Sequence, residues 1–131
     1  AGPLAGVLAG MEWSKKNAPG SNWIATFAAD TPFLPMDLVQ KFLSTIENTS
    51  AELVCASSKG RSHPVFGLWH VPLMEDLRRA IMKEGIRRID VWTSRYNLQV
   101  VDFMPGEVDP FFNVNHPQDL DVARNLFSLK P

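Results

Sequence analysis

The run Trp23-Ile24-Ala25-Thr26-Phe27-Ala28-Ala29 is apolar at almost every position. A strand with one wet face alternates apolar with polar residues, whereas a run without a polar side needs cover on both faces, as in the sheet of an α/β protein. The flanking segments supply candidates for that cover. From Pro3 to about Lys16, Leu4, Val7, Leu8 and Met11 recur at helical spacing, with Pro3 suited to a first helical turn. Gly6 and Gly10 lie four apart on one stripe of this helix and permit close packing against a sheet or contact with a ligand. Asn17-Ala18-Pro19-Gly20-Ser21-Asn22 reads as the turn that ends it. Beyond the apolar run comes Asp30-Thr31-Pro32-Phe33-Leu34-Pro35. Met36 to about Asn48 then predicts an amphipathic helix with Leu38, Val39, Phe42, Leu43 and Ile46 inward.

The rest of the chain continues the alternation. Glu52 to Ser57 reads as a strand, Ser58 to Ser62 as a turn and Pro64 to His70 as a second strand, antiparallel to the first because the link is short. Val71 to Glu84 predicts a helix with Pro72 in its first turn and Gly85 past its end, and Ile86 to Arg95 a further short helix. Leu98 to Phe103 reads as a strand and Met104 to Pro110 as a loop. Pro117 suits the first turn of a final helix reaching about Leu129. The fold class expected is α/β, with a mainly parallel sheet and one antiparallel strand.

Composition narrows the function. The 131 residues suit one domain, and 45% hydrophobic with 21% charged residues is ordinary for a globular chain. Thirteen Lys and Arg against fourteen Asp and Glu leave a net charge of −1, so no global field recruits nucleic acid or an anionic membrane. An anionic ligand must be held by a local cluster. The single cysteine, Cys55, lies in an apolar run, which points to a buried thiol in a reducing, cytoplasmic compartment. No apolar stretch reaches the roughly 18 residues of a membrane span. The apolar segment Ala1–Gly10 has no basic flank or Met before it, which argues against a signal peptide and reads as a chain entered in mid-fold.

Three places offer chemistry. Asp30 follows the end of the apolar strand, where ligands of open α/β sheets bind, and its carboxylate can hold a hard cation or cap the next helix. In Asn113-Val114-Asn115-His116-Pro117 an extended backbone puts Asn113 and Asn115 on one side, so both amide oxygens can face one site; a turn leading into Pro117 accounts for the same residues. Arg78, Arg79, Lys83, Arg87, Arg88 and Arg95 are interleaved with Glu75, Asp76, Glu84 and Asp90, as on a salt-bridged surface. Arg87 and Arg88 nevertheless follow Gly85 as a pair able to clamp phosphate. Arg61-Ser62-His63-Pro64 forms another polar group at a strand entrance. No spacing supports a Ser/His/Asp nucleophile, a CxxC site or a GxxxxGK[ST] loop.

Four segments in order carry a resemblance: Gly2-Pro3-Leu4-Ala5-Gly6, Asp30-Thr31-Pro32-Phe33-Leu34-Pro35, Gly60-Arg61-Ser62-His63-Pro64-Val65-Phe66, and Phe112-Asn113-Val114-Asn115-His116-Pro117-Gln118-Asp119-Leu120. Together they resemble the MobA-like molybdenum cofactor guanylyltransferases over nearly the whole chain. The resemblance implies a Rossmann-like, three-layer nucleotidyltransferase fold that transfers GMP from GTP to the phosphate of molybdopterin in the cytoplasm. It implies a Mg²⁺ ion at Asp30, the catalytic position, and at Asn115, with Asn113 near the substrate. Arg87, Arg88 and Arg61 are the residues expected to hold the pterin phosphate.

The glycine-rich opening loop of that family, of the type LAGGxSxRMGxDK, has no counterpart here. Residues 1–131 therefore read as a single partial nucleotidyltransferase domain, its metal- and acceptor-binding part, lacking about two βα units of roughly 30 residues each and inactive alone. Two alternatives stand beside this reading: a non-catalytic pterin- or nucleotide-binding module, and a related nucleotidyltransferase using another nucleoside triphosphate. Unpaired sheet edges would favour a homo-oligomer.

Overall fold

The computed structural model describes residues 3–28, 37–103 and 120–123. In chain order the elements are α1 (Pro3–Asn17), β1 (Trp23–Ala28), α2 (Leu38–Asn48), β2 (Leu53–Ser58), β3 (Arg61–His70), a 3₁₀ turn (Val71–Leu73), α3 (Met74–Met82), α4 (Ile89–Thr93), β4 (Leu98–Asp102) and β5 (Leu120–Ala123). The five strands form one sheet in the order β4-β2-β3-β1-β5.

Alternation along each strand divides the side chains between two layers. Trp23, Ala25, Val54, Ala56 and Leu68 face α2, where they meet Leu38, Phe42 and Phe103. Ile24, Leu53 and Trp69 face the other way, against Leu4, Val7, Leu8 and Met11 of α1, Leu77 and Ala80 of α3 and Trp92 of α4. The apolar run at β1 thus has cover on both faces, and β2 is buried along its whole length. Burying a Leu, Ile or Phe side chain contributes roughly 1.5–3 kcal/mol, against about 0–1 kcal/mol for an exposed ion pair, so these two packed layers dominate stability.

The α/β class and the three layers agree with expectation; the strand pairing is more mixed. β1, β2 and β4 run in one direction, but β3 lies antiparallel between β1 and β2, which leaves β2–β4 as the parallel pair. The final helix expected after Pro117 is not found at 120–123, which pair as strand β5 antiparallel to β1. A ladder along the side of β1 away from β3 satisfies backbone groups there, and this tertiary pairing overrides the local helical reading. The turn after β2 is also tighter than the five residues expected. Lys59 and Gly60 both have positive φ, 50° and 73°, the pairing of a two-residue hairpin turn, and β3 accordingly begins at Arg61. Gly85, with φ 68°, follows α3 as expected.

β3 carries a bulge. Its register with β2 jumps from Cys55↔Gly67 to Ala56↔His63, leaving Pro64, Val65 and Phe66 outside that ladder. Pro64 has no N–H to donate, so a break is favoured at this point. The buried Thr26 hydroxyl donates to the Val65 carbonyl at 2.9 Å and accepts from the Trp69 indole N–H at 2.7 Å. Gly67 is required beside the bulge, because a Cβ there would lie 2.3 Å from the Val54 carbonyl oxygen.

Replacing Thr26 with Val keeps the shape but leaves a buried donor and a buried acceptor unpaired. We expect a loss of about 1–3 kcal/mol in urea unfolding, largely restored by Thr26→Ser. An unchanged midpoint for Thr26→Val would exclude the bridge as a stabilising contact.

Candidate active site

Because β1, β2 and β4 share one direction, their carboxyl ends share one edge of the sheet, and β3 starts from it. Ligands of open α/β sheets bind at such edges. The ladder between β1 and β3 runs only from Trp23↔His70 to Thr26↔Gly67, so β1 parts from the bulged half of β3 near this edge. Asp30 follows the end of β1 in sequence. Asp30 itself, Asn113 and Asn115 lie outside the described residues, as does His116.

The described residues furnish several polar groups at this edge. Ser62 of β3, Ser57 of β2 and Asp102 of β4 stand in register across three strands. The Ser57 hydroxyl donates to Asp102 Oδ1 at 2.9 Å. Ser57 is buried and Asp102 is exposed. Arg61, exposed, is the next residue out on β3 and opposes Ser58. On the opposite face the buried Ser58 hydroxyl and His63 Nε2 are 2.8 Å apart, tying the two arms of the hairpin that carries Arg61.

Arg87 and Arg88 occupy the connection from α3 to α4. Arg78 of α3 bonds Glu12 of α1 at 2.7 Å, while Lys15 of α1 and Glu75 of α3 line a common cavity, so the two helices run antiparallel. α1 descends toward the start of β1, so α3 rises toward the carboxyl edge, and Arg87 and Arg88 follow its end beyond Gly85. Both are exposed, and Arg88 pairs with Asp90 at 2.7 Å. The rest of the basic group is largely engaged as a surface network: Arg78 with Glu12 and Glu75, Arg79 with Asp76, and Arg95 with Glu84. Arg61 thus stands where β3 begins at the carboxyl edge, on the face away from the Arg87–Arg88 connection. Asp102 and Ser57 were not singled out by sequence reasoning. Their signal is the one that marked Asp30, a polar residue closing an apolar strand, but the parallel partnership of β2 and β4 is invisible without the topology.

Among the described residues no three His, Cys, Asp or Glu side chains converge as a metal site. The displaced titrations also lie elsewhere. Burial pushes the Cys55 thiol up to about 11 within β2. Burial, followed by the Asp76 carboxylate, pushes Tyr96 up to about 12, and burial lowers His70. The cavity of about 370 Å³ between Lys15, Asn22, Pro72 and Glu75 opens at the other end of the sheet. Among the described residues no helix is long and apolar enough to cross a membrane.

Comparison with known proteins gives a consistent result. The family model of the MobA-like NTP transferase domain matches residues 1–96. A molybdenum cofactor guanylyltransferase of Nitrobacter hamburgensis is 48% identical over 128 residues, covering 98% of this chain and 61% of that protein. One from Rhodopseudomonas palustris is 45% identical over 130 residues, covering 99% of this chain and 61% of the relative. The chain therefore spans about 61% of the length of these relatives. The crystal structure of molybdopterin-guanine dinucleotide biosynthesis protein A from Archaeoglobus fulgidus shares the fold, with a TM-score of 0.63 and 24% identity over 91% of this chain and 59% of that one.

The raised Cys55 value has a direct consequence. At pH 8 the folded chain holds a neutral thiol, so iodoacetamide should label Cys55 only after unfolding. Rapid labelling of the native chain at pH 8 would contradict its burial.

Proposed function

The chain belongs to the family of MobA-like NTP transferase domains, and on that premise we propose that it is the metal- and acceptor-binding part of a molybdenum cofactor guanylyltransferase. The observation that supports this reading is the edge where the carboxyl ends of β1, β2 and β4 meet and β3 begins at Arg61. The identity of 45–48% to relatives of that name, over nearly the whole chain, supports the choice of reaction.

In the proposed reaction a phosphate oxygen of molybdopterin attacks the α-phosphorus of GTP, the bond to the β-phosphate oxygen breaks, and pyrophosphate departs. No protein nucleophile takes part. The oxygen donors of Asp30 and Asn115 suit a hard cation, and Mg²⁺ held there supplies neutralisation of phosphate charge. Asn113, next but one to Asn115 in sequence, contacts substrate. Arg87, Arg88 and Arg61 hold the pterin phosphate in line. The Arg88–Asp90 pair is exposed on both sides and worth about 0–1 kcal/mol, so phosphate can displace Asp90. Residues 1–131 act as one partial domain, in the cytoplasm.

A GTP-to-dinucleotide assay should be run on this chain and on one extended at its N-terminus to the length of the relatives. We expect transfer by the extended chain, and a fall of about 10–100-fold in kcat/KM for molybdopterin in Arg87→Ala or Arg88→Ala. Failure of the extended chain to transfer GMP would overturn the reading in favour of a non-catalytic binding module, and transfer from CTP alone would favour a different nucleotidyltransferase. β4 stands at one end of the described strand order with Val100 48% exposed. Light scattering of the chain is expected to show a homo-oligomer, and a monomer at all concentrations would refute edge-mediated association.

A further inference from the structure

We infer that Asp102, oriented by Ser57, reads the aminopyrimidinone edge of the pterin substrate and so determines acceptor specificity. This rests on the guanylyltransferase reading above and assigns a residue to the far end of the acceptor. Asp102 closes β4 at the carboxyl edge, exposed, and has no cationic partner among the described residues. Other acids on the same face are taken up by arginines, as Asp90 is by Arg88 and Glu84 by Arg95. Its Oδ1 accepts the hydroxyl of the buried Ser57 at 2.9 Å, which fixes the carboxylate plane from the neighbouring strand. A carboxylate offers about four lone-pair sites, so a single Ser57 bond leaves both oxygens able to accept more.

The position suits one end of an elongated acceptor. Strand alternation places Ser57 and Asp102 on the same face as Leu53 and Leu98, the face covered by α1, α3 and α4, toward which the Arg87–Arg88 connection also lies. Arg61 opens β3, two interstrand spacings or roughly 10 Å from β4, but opposes Ser58 and so lies on the other face, which leaves the Arg87–Arg88 connection as the phosphate end on this one. Molybdopterin carries its phosphate at one end and its aminopyrimidinone at the other. With the phosphate at Arg87 and Arg88, the pterin ring extends along the edge toward β4. Its 2-amino group and N3–H then present two adjacent donors, a fork that a carboxylate accepts as two parallel bonds and that a lone arginine or an amide cannot match.

The test uses this chain, 6-hydroxymethylpterin phosphate and the corresponding lumazine, in which a carbonyl oxygen replaces the 2-amino group. Dissociation constants are read from ligand fluorescence. The wild-type chain should bind the pterin at least about tenfold more tightly than the lumazine, because the replacement sets oxygen against oxygen. Asp102→Asn should bring that ratio close to one with an unchanged unfolding midpoint, since the residue is exposed, and Ser57→Ala should lower the ratio several-fold. A wild-type chain that does not distinguish the two ligands, or binds neither, overturns the inference, as does an Asp102→Asn variant that keeps the full ratio. GMP transfer by the extended chain separates the two levels: transfer without discrimination through Asp102 removes this assignment alone, and absence of transfer removes the guanylyltransferase reading.

Discussion

β3 hydrogen-bonds to β1 on one side and β2 on the other while running against both, and that single insertion sets what the rest of the molecule can do. With β3 between them, β1 and β2 point the same way without pairing directly, so their carboxyl ends are two interstrand spacings apart with the start of β3 between them. The bulge at Pro64–Phe66 then detaches this part of β3 from its ladders. A buried bridge from Trp69 through Thr26 to Val65 provides the hydrogen bonds that the broken ladder cannot. The interior is therefore tightly constrained close to the point where the edge opens toward ligand.

The division of labour between the faces follows from the same arrangement. Among the described residues, one face of the sheet is covered by α2 and the other by α1, α3 and α4 together. The multi-helix face contains a connection that ends in paired arginines, and its strand ends carry Ser57 and Asp102. A face covered by several elements has seams between them. Ion pairs on the multi-helix surface are exposed, and their contribution to stability is small beside the packed layers.

Much of this architecture is legible in residue patterns. The apolar run at β1, the helical spacing of Leu4, Val7, Leu8 and Met11, and Gly85 after α3 each report a local requirement that tertiary structure leaves intact. What escapes local reading is who pairs with whom. Leu120–Ala123 follows a proline suited to a helix start, yet its backbone joins β1. Asp102 closes a short strand whose parallel partner lies more than forty residues away in the chain. The arginine pair is visible as a cluster, but the direction of the helix that precedes it depends on the antiparallel run of α1 and α3. Asp30, Asn113 and Asn115 rest on sequence position and motif order, since they lie outside the described residues.

The bulge in β3 also acts as a register adjustment. Three residues of β3 sit opposite a single step of β2, so residues on its outer side are set relative to the core by the length of the bulge and not by the ladder within the core. Gly67 and His63 lie four residues apart yet oppose adjacent residues of β2, so they point to opposite faces and the bulge breaks the alternation a regular strand would impose. A lineage of such proteins could therefore re-aim the side chains that meet a substrate by editing one loop-like stretch inside a strand, with no change to the packed layers beneath it.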